Sequence, residues 1–221
     1  MAIHTDTDLD VQTLVMDELD WTPDVDAAGI GVAVVDGIVT LSGEVGSYVE
    51  RLAAKKAARR VRGVRTVVDD LTVHPKSAWP VTETDVAKEV ERALRAASNV
   101  PQSVKADVQG HSVTLSGEVD WDFQRHAAKR AVQHLRGVAS VISRIQIAAR
   151  PSGTDTEERI RNALTRNAQL DGQTIHVAVH GNKVTLTGTV KSWTERQQAG
   201  NAAWASPHVT DVDNQIMVRA F

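Results

Sequence analysis

A chain of 221 residues without a single cysteine has no disulfide and no thiolate metal site to brace it. Its formal charge of −3 lacks the basic excess of a dedicated nucleic-acid binder, so no nucleic-acid partner is expected. No run approaches the roughly 20 apolar residues of a membrane span, and neither a signal peptide nor a lipoprotein anchor is expected. The sequence therefore reads as soluble and cytoplasmic.

In chain order, the first helical stretch carries Leu14, Val15 and Leu19 at helical spacing and breaks near Trp21-Thr22-Pro23. A strand follows, with Ile30, Val32 and Val34 alternating against polar or small neighbours. A tight turn at Asp36-Gly37 leads into Val39-Thr40-Leu41-Ser42-Gly43-Glu44-Val45, whose apolar residues share one face. A second helix is predicted from about 48 to 62, with Val49, Ala53, Ala57 and Val61 inward. Gly63-Val64 suits its C-cap, and a third strand runs from Val67 to Val73.

The same grammar then recurs. Val113-Thr114-Leu115-Ser116-Gly117-Glu118-Val119 and Val184-Thr185-Leu186-Thr187-Gly188-Thr189-Val190 repeat the strand-two phrase, 74 and 71 residues further on. In the second copy, Thr82 and Asp85 form a capping signal, and Val86, Val90 and Leu94 an apolar helical face. Its first strand holds Val104, Ala106 and Val108, and its turn is Gly110-His111. Phe123, Ala127, Ala131 and Leu135 are expected inward on helix 122 to 136, followed by Gly137-Val138 and a strand from Val141 to Ile147. The third copy shows Thr154 and Glu157 as a capping box, Ile160 and Leu164, a break at Leu170-Asp171-Gly172, strand Ile175, Val177 and Val179, and turn Gly181-Asn182. A helix from 193 to 206 stops at Pro207-His208-Val209, and a strand from Val212 to Val218 closes the copy. Linkers fall at 74–80 and 149–153.

The order α-β-β-α-β predicts an α+β fold in three tandem units, at residues 7–74, 82–148 and 154–220. Each is a three-stranded mixed sheet with two helices on one face and a right-handed crossover. The alternating strand at Ile30, the phrase from Gly37 through Val45, and the Gly63-Val64 pair with Val67 and Leu71 beyond it resemble the BON domain, named for bacterial osmotic-shock-inducible and nodulation proteins. The resemblance runs over nearly the whole chain, and the third copy departs from it only at His208-Val209. It implies binding to phospholipid surfaces and envelope maintenance under stress, without catalysis.

The candidate surface is the second helix of the first copy. Arg51, Lys55, Arg59 and Arg62 are spaced 4, 4 and 3 apart, which sets them on one helical face; Lys56, Arg60 and Arg65 broaden it. Such a stripe attracts anionic head groups at about 1 kcal/mol per residue. A solvated face opposite the acidic Asp17, Glu18 and Asp20 accounts for the same pattern. The second copy keeps Arg125, Lys129 and Arg136. In the third, the register carries Arg59 to Gln133 and then to Trp204, an interaction candidate for a neighbouring unit, a partner or a bilayer interface. Trp193, equivalent to Tyr48, stands near the same turn, as does Trp121.

No metal or cofactor is expected. His176 and His180 are about 13 Å apart on a strand, and His126 and His134 about 12 Å apart along a helix. Asp24-x-Asp26-x-x-Gly29 mimics a calcium loop, but Val35 stands in place of its bidentate glutamate. No nucleophile–base pattern or phosphate-binding loop appears. The expected function is a non-enzymatic tandem BON protein associating with anionic phospholipid or envelope surfaces in the osmotic stress response, peripheral at the membrane. A soluble scaffold for protein interaction or self-association is the alternative; a cation or small-ligand sensor is a third.

Overall fold

The computed structural model describes residues 7–74, 81–150, 155–167 and 174–219. Most of both linkers, Thr154 and the break at 170–172 lie outside these residues.

The first copy begins with α1 (Asp8–Asp20), started by a capping box. Thr7 Oγ1 accepts the Asp10 N–H, and the Asp10 carboxylate accepts the Thr7 N–H at 3.0 Å. The helix buries Val11, Val15 and Leu19. Leu14, expected inward, is 41% exposed, because Val11 completes the i, i+4, i+8 row instead. Strands β1 (Ile30–Val35) and β2 (Ile38–Val45) pair antiparallel across Asp36-Gly37, both at positive φ (50° and 71°). The Asp8 carboxylate accepts the N–H groups of both turn residues at 2.9 and 3.0 Å, tying the start of α1 to the hairpin. After α2 (Tyr48–Arg60), β3 (Thr66–Val73) returns parallel to β2, giving the mixed order β1-β2-β3. Val39, Leu41 and Val45 meet side chains of both helices in one core, so the helices cover the same face of the sheet.

The second copy comprises α3 (Glu83–Ala96), β4 (Lys105–Gln109), β5 (Ser112–Ser116), β6 (Glu118–Val119), α4 (Asp122–Gln133), β7 (Ser140–Ser143) and β8 (Gln146–Ile147). The third comprises α5 (Thr156–Arg166), β9 (Ile175–His180), β10 (Lys183–Val190), α6 (Trp193–Trp204), β11 (Asp211–Asn214) and β12 (Met217–Val218). By compactness the chain divides into two units. One holds residues 1–116 and 127–144, the other 117–126 and 145–221, so the division passes through the second copy.

The glycine of the repeated phrase has a steric cause. Gly43 and Gly188 have φ of 112° and 129°, and an added Cβ would stand 2.2 and 2.0 Å from the carbonyl oxygens of Gly29 and Thr174. The backbone entering the first strand crosses too close for any side chain.

Three expectations need correction. On the second helices Ala57 is buried as expected and Val61 packs against the core, but the inner face is otherwise turned by about one residue. Ala54, Ala57 and Ala58 are buried in α2, and Ala128 and Val132 in α4, while Phe123 is 53% exposed. The third strands of copies two and three are each interrupted, before the buried Ile145 and Ile216 or beside them. In the third copy the Ile216 N–H leaves the ladder and donates to Asn214 Oδ1 at 3.2 Å. Finally, the N-cap of α5 is Asp155, which makes no side-chain cap bond. After the second helices, Gly63 and Gly137 turn the chain at φ of 88° and 87°. The third copy makes this turn without positive φ, through Ser206-Pro207-His208-Val209, closed by Val209 N–H to Ser206 O at 3.3 Å.

Candidate interaction surface

The basic stripe of the first copy separates into two groups with different surroundings. Arg51 and Lys55 are half-buried and both engage Asp69 on β3: Arg51 Nε donates at 3.1 and 3.0 Å to the two carboxylate oxygens, and Lys55 Nζ lies 2.8 Å from Oδ2. Burial pushes the Asp69 carboxyl up, but the hydrogen bonds and charges of Lys55 and Arg51 outweigh it and hold it below the usual carboxylate range. Asp69 Oδ1 also accepts the Leu71 N–H at 3.3 Å. These two cations therefore brace α2 against the sheet. Lys56, Arg59, Arg62 and Arg65 are exposed around the end of α2; Arg62 and Arg65 lie beyond its last turn. The acidic first helix meets a different cation, since Glu18 pairs with Arg60 at 2.7 Å.

The brace is built differently in each copy. Arg51, Arg125 and Arg196 share one register position, and 18 residues on stand Asp69, Ser143 and Asn214. Arg196 donates to the carbonyl oxygens of Ile216 at 2.9 Å and Asn214 at 2.5 Å, while Asn214 Nδ2 donates back to Arg196 O. Arg125 instead pairs with Asp122 at 2.5 Å and lies over the Trp204 ring, 4.6 Å from its centroid. Asp122 is held below the usual range: burial opposes this, but His126 and Arg125 prevail. Lys129 is half-buried on α4.

The aromatic candidates lie near arginines. Trp193 lies 5.1 Å from the Arg196 guanidinium, and Trp121 is 4.6 Å from that of Arg150, which also pairs with Asp120 at 3.0 Å. Asn182 Nδ2 donates to the carbonyl oxygens of Arg150 and His208. In the first unit, Tyr48 is buried and hydrogen-bonded to the Val141 backbone; burial raises its phenol pKa. Beside it is a cleft of about 290 Å³ lined by Ser47, Tyr48 and Val49 from one side and Leu135, Gly137 and Val138 from the other. Sequence reading missed Trp21, which is 84% exposed at the end of α1. Its only signal was its position at a helix break.

Among the described residues no group of three or more His, Asp or Glu is placed to hold a metal ion. No described helix is long and apolar enough to cross a membrane. The architecture is a repeat protein of small α+β units whose distinctive chemistry is surface charge and aromatic contact. The BON domain model matches residues 7–75, 82–149 and 152–220, and the chain belongs to the BON family as three tandem copies.

The chain is 34% identical over 117 residues to osmotically-inducible protein Y of Escherichia coli (strain K12), an alignment covering 51% of this chain and 58% of that protein. The chain thus matches little more than half the length of that relative. Two solved structures of CdsD, a structural protein of the type III secretion system of Chlamydia trachomatis, align at 11% and 12% identity. Their TM-scores are 0.27 and 0.28; each alignment covers 96% of this chain, and 99% and 93% of theirs.

Proposed function

We propose that this chain is a non-catalytic BON protein of the osmotic stress response that associates peripherally with anionic phospholipid, chiefly through its first copy. The observation that carries this reading is the exposed cluster Lys56, Arg59, Arg62 and Arg65 at the end of α2. The register shows that the cluster is particular to the first copy. Its positions become Arg130, Gln133, Arg136 and Ala139 in the second copy, and Asn201, Trp204, Pro207 and Thr210 in the third. Four cations at about 1 kcal/mol each suffice for reversible, salt-sensitive attachment to a charged leaflet. Arg51 and Lys55 contribute less, because they are half-buried against Asp69 whereas the cluster is exposed. The relative named for osmotic induction supports the stress setting. The reading keeps the protein cytoplasmic, which cell fractionation checks.

Co-sedimentation with phosphatidylglycerol vesicles tests the proposal. Binding at low salt should fall at least about tenfold when Arg59 and Arg62 become Glu, and less when Arg51 and Lys55 do. Equal binding to phosphatidylcholine vesicles, or none to either, would count against it.

A further inference from the structure

We propose that the third copy carries a binding site, between its two helices, for a small carboxylate with an apolar body. In the first copy an ion pair spans the corresponding space. Glu18, near the end of α1, reaches Arg60 at the end of α2 at 2.7 Å, and Arg60 also donates to Thr22 Oγ1 at 3.2 Å. Three buried pairs set the register of the first helices: Val15 with Leu19, Val90 with Leu94, and Ile160 with Leu164. That register carries Glu18 to Ala93 and then to Ala163. On the second helices Arg60 becomes His134 and then Ala205. Both ends of the bridge are thus alanine in the third copy, and both alanines line a cleft of about 290 Å³.

The chemistry of the cleft selects the occupant. Ile160, Ala163, Ala202 and Ala205 give it apolar walls, and Arg159 and Arg166 border it from α5. Seven residues apart, these arginines share one helical face and stand about 10 Å apart along the axis. Both are exposed, and among the described residues no carboxylate lines the cleft. Arg159 lies 3.9 Å from the exposed Asp155, a loose contact of little worth, whereas the neighbouring Arg161 pairs with Glu157. A guanidinium holds a carboxylate through two parallel N–H donors. The alanine walls offer a ligand no hydrogen bond, so the rest of the occupant must be apolar. At roughly 30 Å³ for each water-sized group, the cleft takes about ten non-hydrogen atoms, the size of octanoate. The site depends neither on the basic cluster of the first copy nor on lipid attachment.

Titration of the full 221-residue chain with octanoate, followed in amide NMR spectra, tests this. Octanoate should shift resonances of residues 159–166 and 202–207 saturably. Octan-1-ol, which lacks the charge, and acetate, which lacks the apolar body, should each bind at least about tenfold more weakly. Arg159→Ala with Arg166→Ala should weaken octanoate by about tenfold or more. Ala163→Glu with Ala205→Arg installs the first copy's bridge in the third. It should abolish binding while circular dichroism shows the fold retained. Arg59→Glu with Arg62→Glu should lower vesicle binding and leave octanoate binding unchanged, which separates this site from the lipid reading. The proposal is overturned if octanoate gives no saturable shifts at these residues, if octan-1-ol binds as tightly, or if the folded bridge variant binds like wild type. An acidic peptide that moves the same resonances where octanoate does not would give the cleft to a protein partner, and that too overturns it.

Discussion

The first and second copies place the same arginine in opposite service. Arg51 reaches inward to Asp69 and, with Lys55, pins α2 to its own sheet. Arg125, at the equivalent position, has Ser143 where Asp69 would stand, and lies over Trp204 of the third copy. The third copy restores a brace in neutral form, with Arg196 on two backbone carbonyls and Asn214 closing the loop. One residue on the third strand thus goes with a shift between stabilising the copy and contacting its neighbour. A repeat protein can diversify in this way without touching its core.

The strongest challenge to treating the copies as equivalent is to weaken their cores one at a time. Leu41, Leu115 and Leu186 are each fully buried at the same place in the phrase. Replacing any one with Ala should cost about 2–5 kcal/mol in calorimetry or denaturant unfolding. Similar values would confirm matched cores; one near zero would break the equivalence.

A smaller effect separates the two braces. Asp69→Asn should cost about 1–2 kcal/mol at neutral pH, since it leaves two half-buried cations without their carboxylate. Asp69 has a depressed folded pKa, so its stabilisation is present above the unfolded carboxylate value of about 3.9 and is lost as pH falls through the folded value. The deficit of Asp69→Asn should therefore shrink in acid. Asn214→Ala, which removes a neutral brace, should show no such dependence. A pH series of chemical denaturation distinguishes them.

The smallest expected effect sharpens the contrast in the second copy. Arg125→Ala should cost about 0.5–1 kcal/mol, the usual worth of a partly exposed cation–π contact. It should also change Trp204 emission. Unaltered fluorescence would mean that the stack contributes nothing in solution.

Strand alternation and the phrase glycine were legible because a two-residue period and a steric exclusion both act locally. The face of the second helix was less so. In a run as alanine-rich as Ala53, Ala54, Ala57 and Ala58, two adjacent faces are almost equally apolar, and packing against the sheet chooses between them. The division of the basic stripe into two groups was illegible for a related reason. Spacing along α2 groups Arg51 with Arg59, but Asp69, which divides them, arrives from a strand 18 residues beyond Arg51. The stacking of Arg125 on Trp204 joins residues of different copies and left no local trace.

The described tryptophans divide unevenly along the chain. Trp121, Trp193 and Trp204 each lie under a guanidinium, whereas Trp21 stands in solvent. Loosening the third copy or its contact with the second should shift and brighten or quench the emission of the first three, while loosening the first copy should leave that of Trp21 nearly constant. Among the described residues, fluorescence thus weighs toward one end of the chain, whereas circular dichroism follows all of it.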